Sequence, residues 1–176
     1  MTSTLYVDNL IEKTSGNGVH IPGHVIQMQT STQSGSSISI GNGQLSYINT
    51  GLQVSITPKF SNSKIVVMSS QIIGIGNTQA DVPAGSSGQA RMDYKLVEAG
   101  GFILYEGRYV GTDDQYEGNL SVVTSTHGVY QASSTSTVTF STQCREAGGS
   151  DSQASNLYLR WYEGSKATIT AMEIAQ

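Results

Sequence analysis

The stretch "LQVSITPKFSNSKIVVMSSQIIGIG", residues 52–76, decides the fold class. Its first part alternates, with Leu52, Val54 and Ile56 on one side and Gln53, Ser55 and Thr57 on the other. That is the period of a strand with one buried face and one wet face. Pro58 ends the ladder because it has no N–H to donate. The second part changes character: Ile65, Val66, Val67 and Met68 are apolar on both faces, as in a central strand of a sheet covered on each side. Something must therefore cover its second face.

Working outward, no window long enough for two helical turns escapes interruption by Gly, Ser or Thr, so the chain reads as all-β. His24–Thr30 is a first strand, and "STQSGSSISIGNG" at 31–43 is a loop with room for one edge strand. "ARMDYKLVEAGGFILYEGR" at 90–108 predicts a hairpin. Its arms, Ala90–Glu98 and Phe102–Arg108, are joined by Ala99-Gly100-Gly101, where glycine supplies the positive φ of a tight turn. Further strands fall at 119–132, at 134–148 (Val138 and Phe140 against Thr137, Thr139 and Ser141), at 157–164 and at 167–176. About eight strands at this spacing predict a sandwich or jelly roll. The boundary lies near 22–45, giving an extended N-terminal arm at 1–22 and a head domain at 23–176.

Composition narrows the function. The 176 residues are 37% hydrophobic and only 12% charged, about half the usual charged share. Serine and threonine number 25 and 17, so hydroxyls, amides and a net charge of −4 keep the surface wet. No apolar run is long enough to span a bilayer, so membrane insertion is not expected. Nine Lys and Arg scattered among thirteen Asp and Glu make no basic stripe, and nucleic acid is not an expected partner. The lone Cys144 excludes an intrachain disulfide or a multi-cysteine metal site and reads as a small strand residue.

The search for catalytic chemistry finds little. His20, His24 and His127 have no G-x-S-x-G elbow near them. Glu98, Glu106, Asp113, Asp114, Glu117 and Glu163 read as solvated loop acids rather than a glycosidase pair. "GIGNTQ" at 74–79 lacks the Lys-Ser/Thr of a nucleotide loop. Pro22 and Gly23 keep His20 and His24 from a helical zinc spacing. The expectation is no enzyme, no cofactor and no metal. The best candidate contact surface is "LYEGRYVGTDDQYEGN" at 104–119, where Tyr105, Tyr109, Asp113, Asp114 and Tyr116 are the candidate ligand contacts. Aromatic faces beside carboxylates suit sugars, because rings stack on C–H faces and acids accept hydroxyl protons.

Three stretches together resemble virion fibre and appendage proteins of tailed bacteriophages, especially those infecting marine bacteria and cyanobacteria. They are "STLYVDNLIEKTSGNGVHIPGHVIQ" at 3–27, "LQVSITPKFSNSKIVV" at 52–67 and "ATITAMEIAQ" at 167–176. The resemblance implies a TNF-like or C1q-like jelly-roll head that forms a parallel homotrimer, with the leader arms running toward the virion. The chain departs from long tail fibres in having almost no shaft. A trimer would cover the second face of Ile65–Met68, making Val66, Met68 and Trp161 interface candidates. The arm, through Leu5, Tyr6, Val7, Asp8, Leu10 and Ile11, is expected to add to a capsid, collar or tail protein. The implied function is a nonenzymatic virion structural protein, a short trimeric fibre or knob with host surface polysaccharide as a candidate partner. A decoration protein without a receptor role, or a small jelly-roll protein that binds or degrades polysaccharide, are the alternatives.

Overall fold

The computed structural model describes residues 11, 21–34, 38–40, 44–75, 88–113, 120–147, 157–159 and 166–176. Ten strands carry these residues: β1 Val25–Ser34, β2 Ile38–Ile40, β3 Ile48–Ile56, β4 Lys64–Ile75, β5 Gly88–Glu98, β6 Ile103–Asp113, β7 Leu120–Gln131, β8 Val138–Glu146, β9 Leu157–Leu159 and β10 Lys166–Ile174. No helix occurs among the described residues, as the interrupted windows predict. The expected hairpin is β5 and β6. Gly101 N–H closes its turn on the Glu98 carbonyl at 2.8 Å, and Gly101 has φ 99°, where any side chain would be strained.

The long strands pair in nested fashion, β1 with β10, β3 with β8, β4 with β7 and β5 with β6, all antiparallel. The chain thus behaves as one long double ribbon rolled on itself. Rolling brings β10 beside β4 and β5 beside β8, which gives a sheet ordered β1-β10-β4-β7 and a sheet ordered β3-β8-β5-β6. This is the jelly-roll path. The short β9 and β2 extend the first sheet beyond the end of β10, where Gly74 and Ile75 pair with β9.

Alternation along each strand decides what fills the space between the sheets. Leu52, Val54 and Ile56 of β3, Ile65 and Val67 of β4, Leu96 of β5, Phe140 of β8 and Ala167, Ile169 and Ala171 of β10 form one buried cluster. A second, around Ile40, Ile73, Met92, Tyr94 and Cys144, fills the other end. Next to it lies a line of hydroxyls. The Ser69 hydroxyl contacts Tyr94 Oη at 3.1 Å and Thr126 Oγ1 at 2.7 Å, and Thr124 donates to the Gln71 carbonyl at 3.2 Å. These bonds let a chain rich in serine and threonine bury them without loss. At the margin the two sheets approach so closely that a Cβ on Gly128 of β7 would lie 2.6 Å from Leu104 Cβ and 2.9 Å from its carbonyl oxygen.

One buried carboxylate closes the roll. Glu173 of β10 is fully shielded from solvent. It accepts hydrogen bonds from Gln27 Nε2 at 2.6 Å, from Lys59 N at 2.8 and 3.0 Å, and from Phe60 N at 3.2 Å. Gln27 also donates to the Thr57 carbonyl at 2.6 Å. Burial pushes the Glu173 carboxyl up, but the donors around it, the Gln27 amide and the two backbone N–H groups among them, outweigh it and hold the group below its ordinary value. Beside it Gly23 N bonds to the Ala175 carbonyl and Ala175 N to that of His24, both at 2.9 Å.

Candidate functional site

The two outward faces of the sandwich differ in chemistry. Residues directly opposite in an antiparallel pair point to the same side, so the registers define each face. Across β1-β10-β4-β7 the outward rows are Val25–Ile174–Lys64–Gln131, Met28–Met172–Val66–Val129, Thr30–Thr170–Met68–His127 and Thr32–Thr168–Ser70–Ser125, with Ile72 and Val123 beyond. Met28, Val123 and Val129 are 60%, 67% and 53% exposed, and Met68 is 42% exposed. None of these outward positions is Asp or Glu, and Lys64 and Lys166 sit at its two ends. The face therefore carries an apolar band edged by hydroxyls.

These rows put the second face of β4, expected from the sequence to be covered in an assembly, on the outside of the single chain. β4 is central, between β10 and β7. Ile65 and Val67 are buried in the core, whereas on the outward side Val66 is half-buried and Met68 is exposed. The apolar surface has a counterpart at the β5–β6 turn, where Phe102 and Ile103 are exposed and Phe102 meets Tyr130 edge-on at 5.8 Å.

The outward face of β3-β8-β5-β6 is charged. Asp93 of β5 is flanked by Arg145 of β8 and Arg108 of β6, its cross-strand partners. Arg108 grips it with two bonds, Nε to Oδ1 at 2.7 Å and Nη2 to Oδ2 at 3.2 Å. Arg145 approaches Oδ2 with Nε at 3.1 Å and Nη2 at 3.0 Å. Burial pushes the Asp93 carboxyl up, but the hydrogen bonds and charges of both arginines outweigh it and hold the group below its ordinary value. Tyr47, just before β3, reaches across the sheet to donate to Glu106 of β6 at 2.5 Å. Lys95 Nζ lies 4.0 Å and Arg145 Cζ 4.6 Å from its ring centroid. Burial, then the bond to Glu106 and its negative charge, push the Tyr47 hydroxyl up to about 12, so it stays a donor.

The residues singled out in the sequence fall in different places. Val66 and Met68 share the apolar face. Tyr105 is half-buried and packs against both core clusters. Tyr109 and Asp113 stand on β6 opposite Met92 and Gly88. Ile11 is exposed. Asp114, Tyr116, Trp161 and Leu5, Tyr6, Val7, Asp8 and Leu10 of the arm lie outside the described residues, as does His20. Sequence reading missed the group at Tyr47, Asp93, Lys95 and Arg145. Its one available signal was Asp93 and Lys95 alternating outward within the hairpin. Among the described residues no group of three or more His, Cys, Asp or Glu is placed to hold a metal ion. Burial pushes the Cys144 thiol up to about 12.

No family model and no curated protein matches the chain. Among solved structures, that of the infectious bursal disease virus Gx strain is 12% identical with a TM-score of 0.37, covering 85% of this chain and 40% of that one. The VP2 subviral particle of infectious bursal disease virus is 12% identical with a TM-score of 0.34, covering 84% and 40%. The structure of the Gt strain is 10% identical with a TM-score of 0.28, covering 94% and 43%. The chain spans about two fifths of the length of these proteins.

Proposed function

We propose that the chain is a nonenzymatic structural protein of a virus particle. In this reading it is a jelly-roll head that assembles as a homotrimer and is docked to a capsid, collar or tail protein through its N-terminal arm. The observation that carries the assembly is the outward row Met28–Met172–Val66–Val129, with Met68 beside it. Four strands spaced about 4.8 Å apart and five outward rows give a face of roughly 650 Å². That is close to the ~800 Å² per partner of an ordinary specific interface. Without acidic groups, the face loses little by desolvation when covered.

A ring of three copies uses a heterologous contact, which requires two different patches on each chain. The exposed Phe102 and Ile103 at the β5–β6 turn supply a second apolar patch, beside the β7 edge of the first face. The virion assignment rests on the resemblance of residues 3–27, 52–67 and 167–176 to phage appendage proteins. Multivalent display would then be the mechanism, with three identical weak sites gaining avidity on a densely liganded surface.

Light scattering on the chromatographed chain tests the assembly. The expected mass is three chains of 18.7 kDa each. A monomer at micromolar concentration would remove the trimer and leave a free polysaccharide-binding jelly roll as the better reading. Deleting residues 1–22 and finding undiminished incorporation into particles would remove the docking role of the arm.

A further inference from the structure

We infer that the outward face of the β3-β8-β5-β6 sheet is a binding site for an acidic polysaccharide, with Arg108, Arg145 and Lys95 as the groups that hold its carboxylates or sulfates. The site lies on a single chain and on the face opposite the proposed contact between copies, so it stands whether or not the chain trimerises.

Charge is the first argument. The chain carries a net −4, yet among the described side chains three cations gather here against two acids, Asp93 and Glu106. The patch is thus locally positive on an acidic protein, which concentrates anions there and repels them elsewhere.

The second argument is how the cations are held. The Asp93 side chain is only 7% exposed, while those of Arg108 and Arg145 are 51% and 36% exposed. A shielded carboxylate therefore acts as an anchor, and its two arginines keep part of their planar N–H sets facing water. Long side chains free in solution lose much rotamer freedom when they bind, and anchoring removes part of that loss in advance. Tyr47 does the same for Lys95 by lying under its ammonium group, and its own ring is pinned by the bond to Glu106.

Geometry selects the ligand. The heads draw together: both guanidinium groups reach Asp93 Oδ2, and Lys95 and Arg145 share the Tyr47 ring. Such a cluster meets one charged group at a time and holds it beside the sugar that carries it. Guanidinium forks match carboxylate and sulfate alike. Beside the cations stand acceptors, the Glu106 carboxylate and the Gln143 amide opposite Lys95, which suit the hydroxyls of a sugar.

The experiment is calorimetric titration of the full chain at low salt with polygalacturonate, dextran sulfate, neutral dextran and a single-stranded oligodeoxythymidine. The expected result is binding of one or both acidic glycans, weakening as salt rises. Binding of polygalacturonate alone assigns carboxylate, and of dextran sulfate alone assigns sulfate. Lys95→Gln should weaken that binding about threefold to tenfold, since it removes one charged contact without freeing Asp93. Lys59→Gln, the same charge change at an exposed position beyond the end of β3, should leave it within about twofold. Binding no tighter than neutral dextran, equal losses in the two variants, or tighter binding of the oligonucleotide would each overturn the inference. Arg108→Gln, checked for an unchanged melting profile, should weaken binding at least as much as Lys95→Gln. A folded Arg108→Gln that binds normally would also overturn it.

Discussion

Replacing Glu173 with glutamine tests how the roll is closed. The carboxylate is fully buried and meets three donors, the Gln27 amide and the N–H groups of Lys59 and Phe60. Oε1 takes the bonds from Lys59 and Phe60, and Oε2 takes those from Gln27 and, at 3.0 Å, Lys59. A glutamine turns one of these oxygens into an NH₂ group, so either a backbone N–H of Lys59 or Phe60 faces a donor, or Gln27 must give up the Thr57 carbonyl to accept from the new group. A buried donor left without an acceptor costs about 1–3 kcal/mol, and losing the charge on the remaining bonds adds about 1 kcal/mol more. The expected loss is therefore about 2–4 kcal/mol, or roughly 5–15 °C in melting temperature for a domain of this size. Thermal melts of both proteins by circular dichroism at pH 7, at equal chain concentration, measure it. The pH dependence gives a second reading. The folded carboxyl holds its proton less tightly than the ordinary value of 4.5 expected of the unfolded chain. Its stabilising contribution is therefore complete above that value and is lost as pH falls through the depressed folded value. The gap between wild type and Glu173→Gln should accordingly narrow on acidification. A shift below about 2 °C at pH 7, or a gap that widens as pH falls, would refute the reasoning.

Three further outcomes follow from the packing. Met68→Lys and Val129→Asp each put a charge into the outward apolar band, where desolvation on covering is costly, and should convert a trimer to monomers in light scattering while leaving the β spectrum of the monomer intact. Gly128→Val should destabilise by about 1–3 kcal/mol in urea titration, because its Cβ meets Leu104 at 2.6 Å and the backbone oxygen beside it cannot turn away. Cys144, buried with its thiol pushed up to about 12, should stay unreactive toward an aromatic disulfide reagent at pH 8 and react at once in denaturant.

How much of this was legible in the sequence depends on which interaction decided it. Residues 52–57 and the hairpin around Ala99-Gly100-Gly101 were readable because alternation and turn chemistry are local signals. Residues 65–68 placed β4 centrally for the right reason, yet an apolar outward face looks the same in sequence whether a second layer of the same chain or another molecule covers it. In the single chain Val66 is half-buried and Met68 exposed. The charged group was invisible for a different reason. Tyr47, Asp93, Arg108 and Arg145 come from four strands or their approaches, separated by as much as 98 positions, and no short spacing relates them. Tyr105 looked like a contact residue because tyrosine beside acids suits sugars, whereas strand alternation carries it inward against the core.

The position of Glu173 also bears on what the resemblance means. Gln27 lies in "PGHVIQ", Thr57, Lys59 and Phe60 in "LQVSITPKFSNSKIVV", and Glu173 in "ATITAMEIAQ". All three stretches on which the proposed resemblance rests send residues to one carboxylate. The bonds of Gly23 and His24 to Ala175 tie the same segments together. What these letters specify at that point is the closure of the first and last strands onto the β3–β4 connection. A buried charge satisfied by amides from two distant segments tolerates few substitutions, so the stretches are distinctive because the fold demands them. Their order and spacing are therefore informative about architecture and silent about ligands. The two outward faces are where strand alternation leaves side chains free to vary without disturbing the core.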